Sequence, residues 1–211
     1  VAREEIVIAR YQEDVSWADG RSAIIYNKGL TVQTNAKQFL LPNVGREAHT
    51  YLHHIIHSWH HLADTTLFTQ AGLDHVPPGV RLEQFFDPVA DMVVPRLVDC
   101  REWGPDGRIA HFGIWKEKIN RGQMLSGQLP LVAWFRTYLD LDLEALGSVL
   151  YAPGAIIAVK KQCILRRSLE FYKGLLATVA HHSDPEEGHY LERAWLYVFG
   201  WPGAKIRPLS A

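Results

Sequence analysis

Short apolar runs in the first third of the chain constrain the fold most. Glu5-Ile6-Val7-Ile8-Ala9, Ser22-Ala23-Ile24-Ile25-Tyr26 and Thr65-Thr66-Leu67-Phe68-Thr69 are rich in β-branched residues and too short for buried helices, so they read as strands. Between the second and third lies Gly45 to Leu62, GREAHTYLHHIIHSWHHL. There Ala48, Tyr51, Leu52, Ile55, Ile56, Trp59 and Leu62 recur at three- and four-residue steps, the apolar stripe of an amphipathic helix. Strand, helix, strand in that order implies an α/β fold with a mainly parallel sheet flanked by helices.

The 211 residues fit a single domain, and 47% apolar content supplies a substantial core. Further along, the periodicity predicts helices from about Leu82 to Leu97, Leu131 to Leu139, Gln162 to Ala180 and Glu187 to Phe199. It predicts a strand over Ala155 to Val159 and a helix start at Val15 to Ala18. Residues 76–130 carry Pro77-Pro78-Gly79 and a Gly- and Pro-rich loop near Trp103, an excursion suited to a substrate pocket or lid. No run of 18 apolar residues exists, so no membrane span is expected. Cys100 and Cys163 are too few for a disulfide framework, so a reducing, cytoplasmic setting is the expectation. A net charge of −1 argues against a broad nucleic-acid-binding surface.

Open α/β sheets bind ligands beyond the carboxyl ends of their strands. Polar clusters occupy that position three times: Arg10/Glu13/Asp14, Asn27/Lys28 and Gln70/Asp74/His75. A fourth group, Arg46 and Glu47, stands at the start of the histidine-bearing helix behind Pro42 and Gly45, with Asn43 as a candidate cap. A helix N-terminus presents unpaired N–H groups and attracts anions, and a guanidinium adds a planar fork of donors. The competing reading is a capped helix with Arg46 and Glu47 in a surface ion pair.

Six of the chain's 11 histidines lie between Gly45 and Leu62. His53 and His57 have the i, i+4 spacing of a metal pair, but the glutamate of HExxH is missing and no CxxC accompanies them. The stripe is therefore expected to be metal-free and mostly solvent-facing. His49 is the exception, a neutral hydrogen-bond partner beside Arg46.

Ala9-Arg10-Tyr11-Gln12-Glu13-Asp14-Val15-Ser16-Trp17 resembles an ARYNEDxSW motif, and Tyr26-Asn27-Lys28-Gly29 its YNKG partner. Leu41 to Leu52 (LPNVGREAHTYL), Ala155 to Leu176 and Leu191-Glu192-Arg193-Ala194-Trp195 resemble further segments of the same family, a domain of unknown function in fungi and bacteria. That family in turn resembles sugar-nucleotide glycosyltransferases of the GT-A fold. The resemblance implies a single GT-A-like, Rossmann-like domain with a nucleotide-binding half, residues 1–75, and an acceptor half, residues 76–211. It implies a nucleotide-sugar donor, a small-molecule or peptide acceptor, and a divalent cation such as Mg or Mn.

On that reading Arg10, Glu13, Asp14, Asn27, Lys28, His49 and Gln70 bind the donor, while Arg46, Glu47 and Glu192 carry catalysis. Glu192 is the expected proton acceptor, and Asp74 and His75 are the metal candidates. One departure stands out. These transferases place a DxD after a central strand, whereas this chain has Thr69-Gln70-Ala71-Gly72-Leu73-Asp74-His75. Asp140-Leu141-Asp142 has the letters but follows a helical segment, so it reads as a helix end or surface turn. Two alternatives remain. One is an enzyme similar to the arginine-containing cyclodipeptide synthases, with aminoacyl-tRNA as substrate. The other is a degenerate, non-catalytic binding domain.

Overall fold

The computed structural model describes residues 2–210. Its strands are β1 (Glu4–Arg10), β2 (Ala23–Asn27), β3 (Lys37–Leu40), β4 (Thr65–Gln70), β5 (Met92–Val94), β6 (Val98–Cys100), β7 (Val149–Tyr151), β8 (Ile157–Lys160) and β9 (Ile206–Pro208). Its helices are α1 (Arg46–His57), α2 (Gly113–Asn120), α3 (Leu131–Leu139), α4 (Leu143–Leu146), α5 (Lys161–Ile164), α6 (Leu169–Val179) and α7 (Glu186–Val198). A seven-stranded sheet has the order β3-β2-β1-β4-β8-β5-β9, and β6 and β7 form a separate antiparallel pair. β3, β2, β1 and β4 pair in parallel, and β5 and β9 do too, while β8 runs against both of its neighbours. The fold is thus mixed α/β with a mostly parallel, Rossmann-like sheet.

Alternation along the strands divides the core. Val7, Tyr26 and Phe68 join the layer formed with Ala48, Tyr51, Leu52 and Ile55 of α1 and with apolar residues of α6 and α7. Ile6, Ile8, Ile25 and Leu67 face the other way, onto Val15, Ala18, Leu82 and Phe85. Those four residues belong to or adjoin single 3-10 turns, Ser16–Ala18 and Leu82–Phe85, so this face is covered by loops rather than long helices.

Several expected elements differ. The helix expected over Leu82 to Leu97 is a 3-10 turn followed by β5. Pro88 and Pro95 remove donors from that stretch, and buried Met92-Val93-Val94 pairs with β8 and β9 instead. The helix expected over Gln162 to Ala180 breaks into α5 and α6, because Ser168 accepts a hydrogen bond from the Phe171 amide (3.2 Å) and caps a new helix. The start at Val15 to Ala18 goes no further than its 3-10 turn. The strand expected from Ala155 begins at Ile157, after a 3-10 turn at Pro153–Ala155. β3 was not expected, since its KQFL sequence is mostly exposed on the sheet edge. Asp140 ends α3 and Asp142 caps α4, so the DxD letters fall at a helix junction. No helix among the described residues is long and apolar enough to cross a membrane.

Candidate functional site

The chain leaves β1 for β2 and β3 on one side and returns to β4 on the other. Crossovers diverge at such a point, and the crevice beyond the strand ends is where open sheets bind ligands. A recess of about 140 Å³ lies there, lined among others by Arg10, Glu13, Lys28, Arg46, Glu47 and Gln70. Asp14 and Asp74, expected at the same edge, do not line it.

The start of α1 has an unusual backbone. Gly45 and Arg46 both take positive φ, 62° and 51°, and no side chain among the described residues caps the helix. A left-handed conformation is costly for a residue with a Cβ, so Arg46 is held there by its surroundings. The Lys28 ammonium donates to the carbonyls of Val44 and Arg46 and fixes the turn from below. Burial pushes this lysine down to about 8. The Asn43 cap is replaced by Gly45, which lets the chain double back against Val179.

Arg46 reaches across to α7. Its Nη1 lies 2.8 Å from His189 Nε2 and 3.3 Å from Asp184 Oδ1, and its Nε lies 3.6 Å from Glu47 Oε2. The guanidinium also sits 4.9 Å from the centre of the Trp115 ring. Burial works against its charge, but Glu47, Asp184 and Glu192 outweigh that and raise its pKa. His189 is pushed well below the usual imidazole range by burial and then by Arg46, so it is neutral and accepts from Nη1. Glu47 is 7% exposed and lines the recess. Burial raises its pKa, Arg46 offsets part of that, and Glu192 adds to the rise.

Glu192 is placed differently. Its Oε1 accepts from the Gly154 amide at 2.7 Å and its Oε2 from Arg193 at 3.1 Å. Gln70 donates to the Gly154 carbonyl at 2.9 Å, so one glycine ties the end of β4 to α7. Gly154 has φ 78°, and a Cβ there would lie 2.3 Å from the His75 ring. Arg193 is itself bound to Glu102.

The remaining expected residues shape loops. Arg10 is buried and donates to the carbonyls of Glu13 (2.8 Å) and Leu30 (2.7 Å) and to Asn27 Oδ1 (2.8 Å). Asn27 also donates to Leu30. Glu13 accepts from the amides of Tyr11 and Gln12, and Asp14 accepts from Ser16. Asp74 and His75 are exposed. Among the described residues no three His, Cys, Asp or Glu side chains are placed to hold a metal ion together. A divalent ion at Asp74 or His75 would therefore draw on a ligand's own oxygens.

The histidine stripe is more buried than expected. His57, His60 and His61 are exposed, but His49 and His54 are buried and His53 is half-buried. His49, His53 and His57 stack ring on ring, with centroids 6.2 and 3.8 Å apart. Burial pushes His49 and His53 down to about 4. His54 Nδ1 lies 3.1 Å from the Tyr26 hydroxyl. The reason is that α1 lies between β1 and α6, so its second flank meets protein rather than water. His49 does not line the recess, and among the described residues no hydrogen bond reaches its Nδ1.

Asp184, His189 and Trp115 were not singled out from the sequence. The first two lie 138 and 143 residues from Arg46 and meet it only because α7 crosses the start of α1. The Asp184-Pro185 helix start was their one visible signal.

Residues 6–76 match a family model described as "Protein of unknown function (DUF3431)". The matched segment holds the motifs of residues 9–17, 26–29 and 41–52, and ends before residues 155–176 and 191–195. Comparison with curated proteins gives no match, and comparison with solved structures gives none.

Proposed function

We propose that the chain is a group-transfer enzyme of the glycosyltransferase type. It takes a nucleotide-activated donor in the recess beyond β1, β2 and β4 and passes the activated group to a small-molecule or peptide acceptor. One observation carries the reading: Arg46, Lys28 and the uncapped start of α1 converge with a buried carboxylate, Glu47, at the point where the crossovers diverge.

In such a transfer the bond between the donor carbon and the diphosphate oxygen breaks, and its electron pair leaves with the diphosphate. Arg46 and the amides of the first turn of α1 stabilise that charge as it develops, without reorganising. The acceptor hydroxyl forms the new bond to carbon, and its proton passes to a carboxylate. The geometry favours Glu47 over Glu192 for this step. Glu47 lines the recess with a raised pKa, whereas both Glu192 oxygens already accept hydrogen bonds. Glu192 then positions the Gly154 turn that holds Gln70.

The test is thermal denaturation with UDP, GDP and their sugar conjugates, with and without Mg or Mn. A ligand that binds only the native state at a hundred times its Kd adds about 2.7 kcal/mol. A nucleotide diphosphate should raise the Tm of the wild type. It should raise that of Arg46→Lys much less, because the planar fork is lost while the charge remains. No shift with any nucleotide, or an undiminished shift in Arg46→Lys, would overturn the proposal. Retention of charged tRNA in place of nucleotide would instead point to an aminoacyl-tRNA substrate.

A further inference from the structure

A second concavity of about 450 Å³ lies between the loop around residues 104–111, helix α2 and the start of α7. Two of its lining side chains form a dyad. His111 Nε2 lies 2.9 Å from Glu186 Oε1, and the two side chains are 8% and 4% exposed. Glu186 Oε2 accepts from the Gly127 amide, which fixes the carboxylate in place. An ionised carboxylate only accepts, so the proton between the two sits on Nε2. Burial would raise the Glu186 pKa, but the bonds from His111 and Gly127 outweigh it and hold the carboxyl below its usual value. With Nε2 committed to Glu186, Nδ1 is the ring nitrogen left over, and no protein hydrogen bond reaches it among the described residues.

Charge around the dyad points to the ligand. Arg108 and Lys116 line the same concavity together with Asp106, whose Oδ1 accepts from the Arg108 backbone amide; both cations are exposed, and neither makes an ion pair among the described residues. The Arg108 guanidinium makes one long bond, 3.4 Å to the Gly127 carbonyl. Two free cations beside an oriented acceptor nitrogen match a molecule carrying an anionic group and a hydroxyl.

We propose that this concavity is a second ligand site, which binds a small hydroxylated acid. The carboxylate or phosphate lies against Arg108 and Lys116, and the hydroxyl donates to His111 Nδ1. Glu186 is a positioning residue, because it holds the imidazole in the one tautomer that can accept. The site does not depend on a nucleotide donor at the other recess.

The experiment records amide spectra of isotope-labelled protein during titration with glycerate, gluconate and glycerol 3-phosphate, with glycerol as an uncharged control. At least one acid should shift amides in residues 104–111 and 116–126 saturably, and glycerol should not. The two carboxylates against the phosphate distinguish which anion is preferred. Arg108→Ala and Lys116→Ala alter exposed side chains and should weaken binding about tenfold, as expected for a lost charged hydrogen bond. Glu186→Gln should change the ring-nitrogen shifts of His111 and weaken the same titration. The proposal is overturned if none of the three acids shifts these amides, if glycerol shifts them equally, or if the arginine and lysine variants bind undiminished. UDP added to the same samples reports separately around Lys28 and Arg46. Loss of that response alone leaves this site standing and removes the donor reading.

Discussion

Glu47 and Glu192 both act electrostatically on Arg46, yet their bonding separates their roles. Glu47→Gln keeps the shape and removes a base. Turnover should fall about 10²–10⁴-fold with nucleotide binding retained, as read from kcat against KM. The raised pKa of Glu47 also has a sign. Between the ordinary carboxylate value and its own, the native state holds the extra proton, so this stabilising contribution is lost as pH rises through that window. Glu192→Gln should act on the fold instead. An amide N–H₂ would face either the Gly154 amide or Arg193, so denaturant titration should show a loss of about 1–3 kcal/mol. An unchanged midpoint would remove Glu192 from the positioning role. Arg46 was legible from GRE behind a proline and glycine because helix starts are written locally. Its partners on α7 were not, since no short-range pattern encodes a contact across 143 residues.

Among elements, α1 carries the most information. Its apolar stripe was visible in the sequence and its burial follows that stripe. The fate of its histidines depended on what covers the other flank, which periodicity does not report. Gly45→Ala would place a Cβ 2.6 Å from the Val179 carbonyl at a positive φ, so it should destabilise by more than about 1 kcal/mol by thermal denaturation. The histidine stack supplies a pH test. His49 and His53 are held near 4, so the unfolded chain binds more protons between that value and the ordinary imidazole range. Their contribution is complete above about 6.5 and is lost as pH falls towards 4. Denaturation midpoints measured from pH 7 to 4 should fall, and fall less in a His53→Gln variant. The proline-interrupted stretch around β5 shows the opposite failure: its apolar spacing looked helical, but a proline on either side and pairing with β8 decided it.

Across the whole molecule, the parallel half of the sheet could be read from strand and helix order, but the reversed β8 could not. Its direction is set by pairing with β4 and β5, segments far away in sequence. The two faces also differ in cover, and α2 has no buried residue at all. Native-state hydrogen exchange should therefore find α2 opening well before β1 and β4, whose neighbours bury both faces. Protection of α2 equal to that of β1 would contradict this. The Arg46 guanidinium stands where α1, α2 and α7 meet, bonded to His189, whose ring lies 5.4 Å from that of His111. Any occupant of the recess that draws Arg46 away from His189 changes what His111 rests on. Where that change alters affinity beside His111, thermodynamic reciprocity fixes the converse: a ligand there alters affinity at the recess by the same factor.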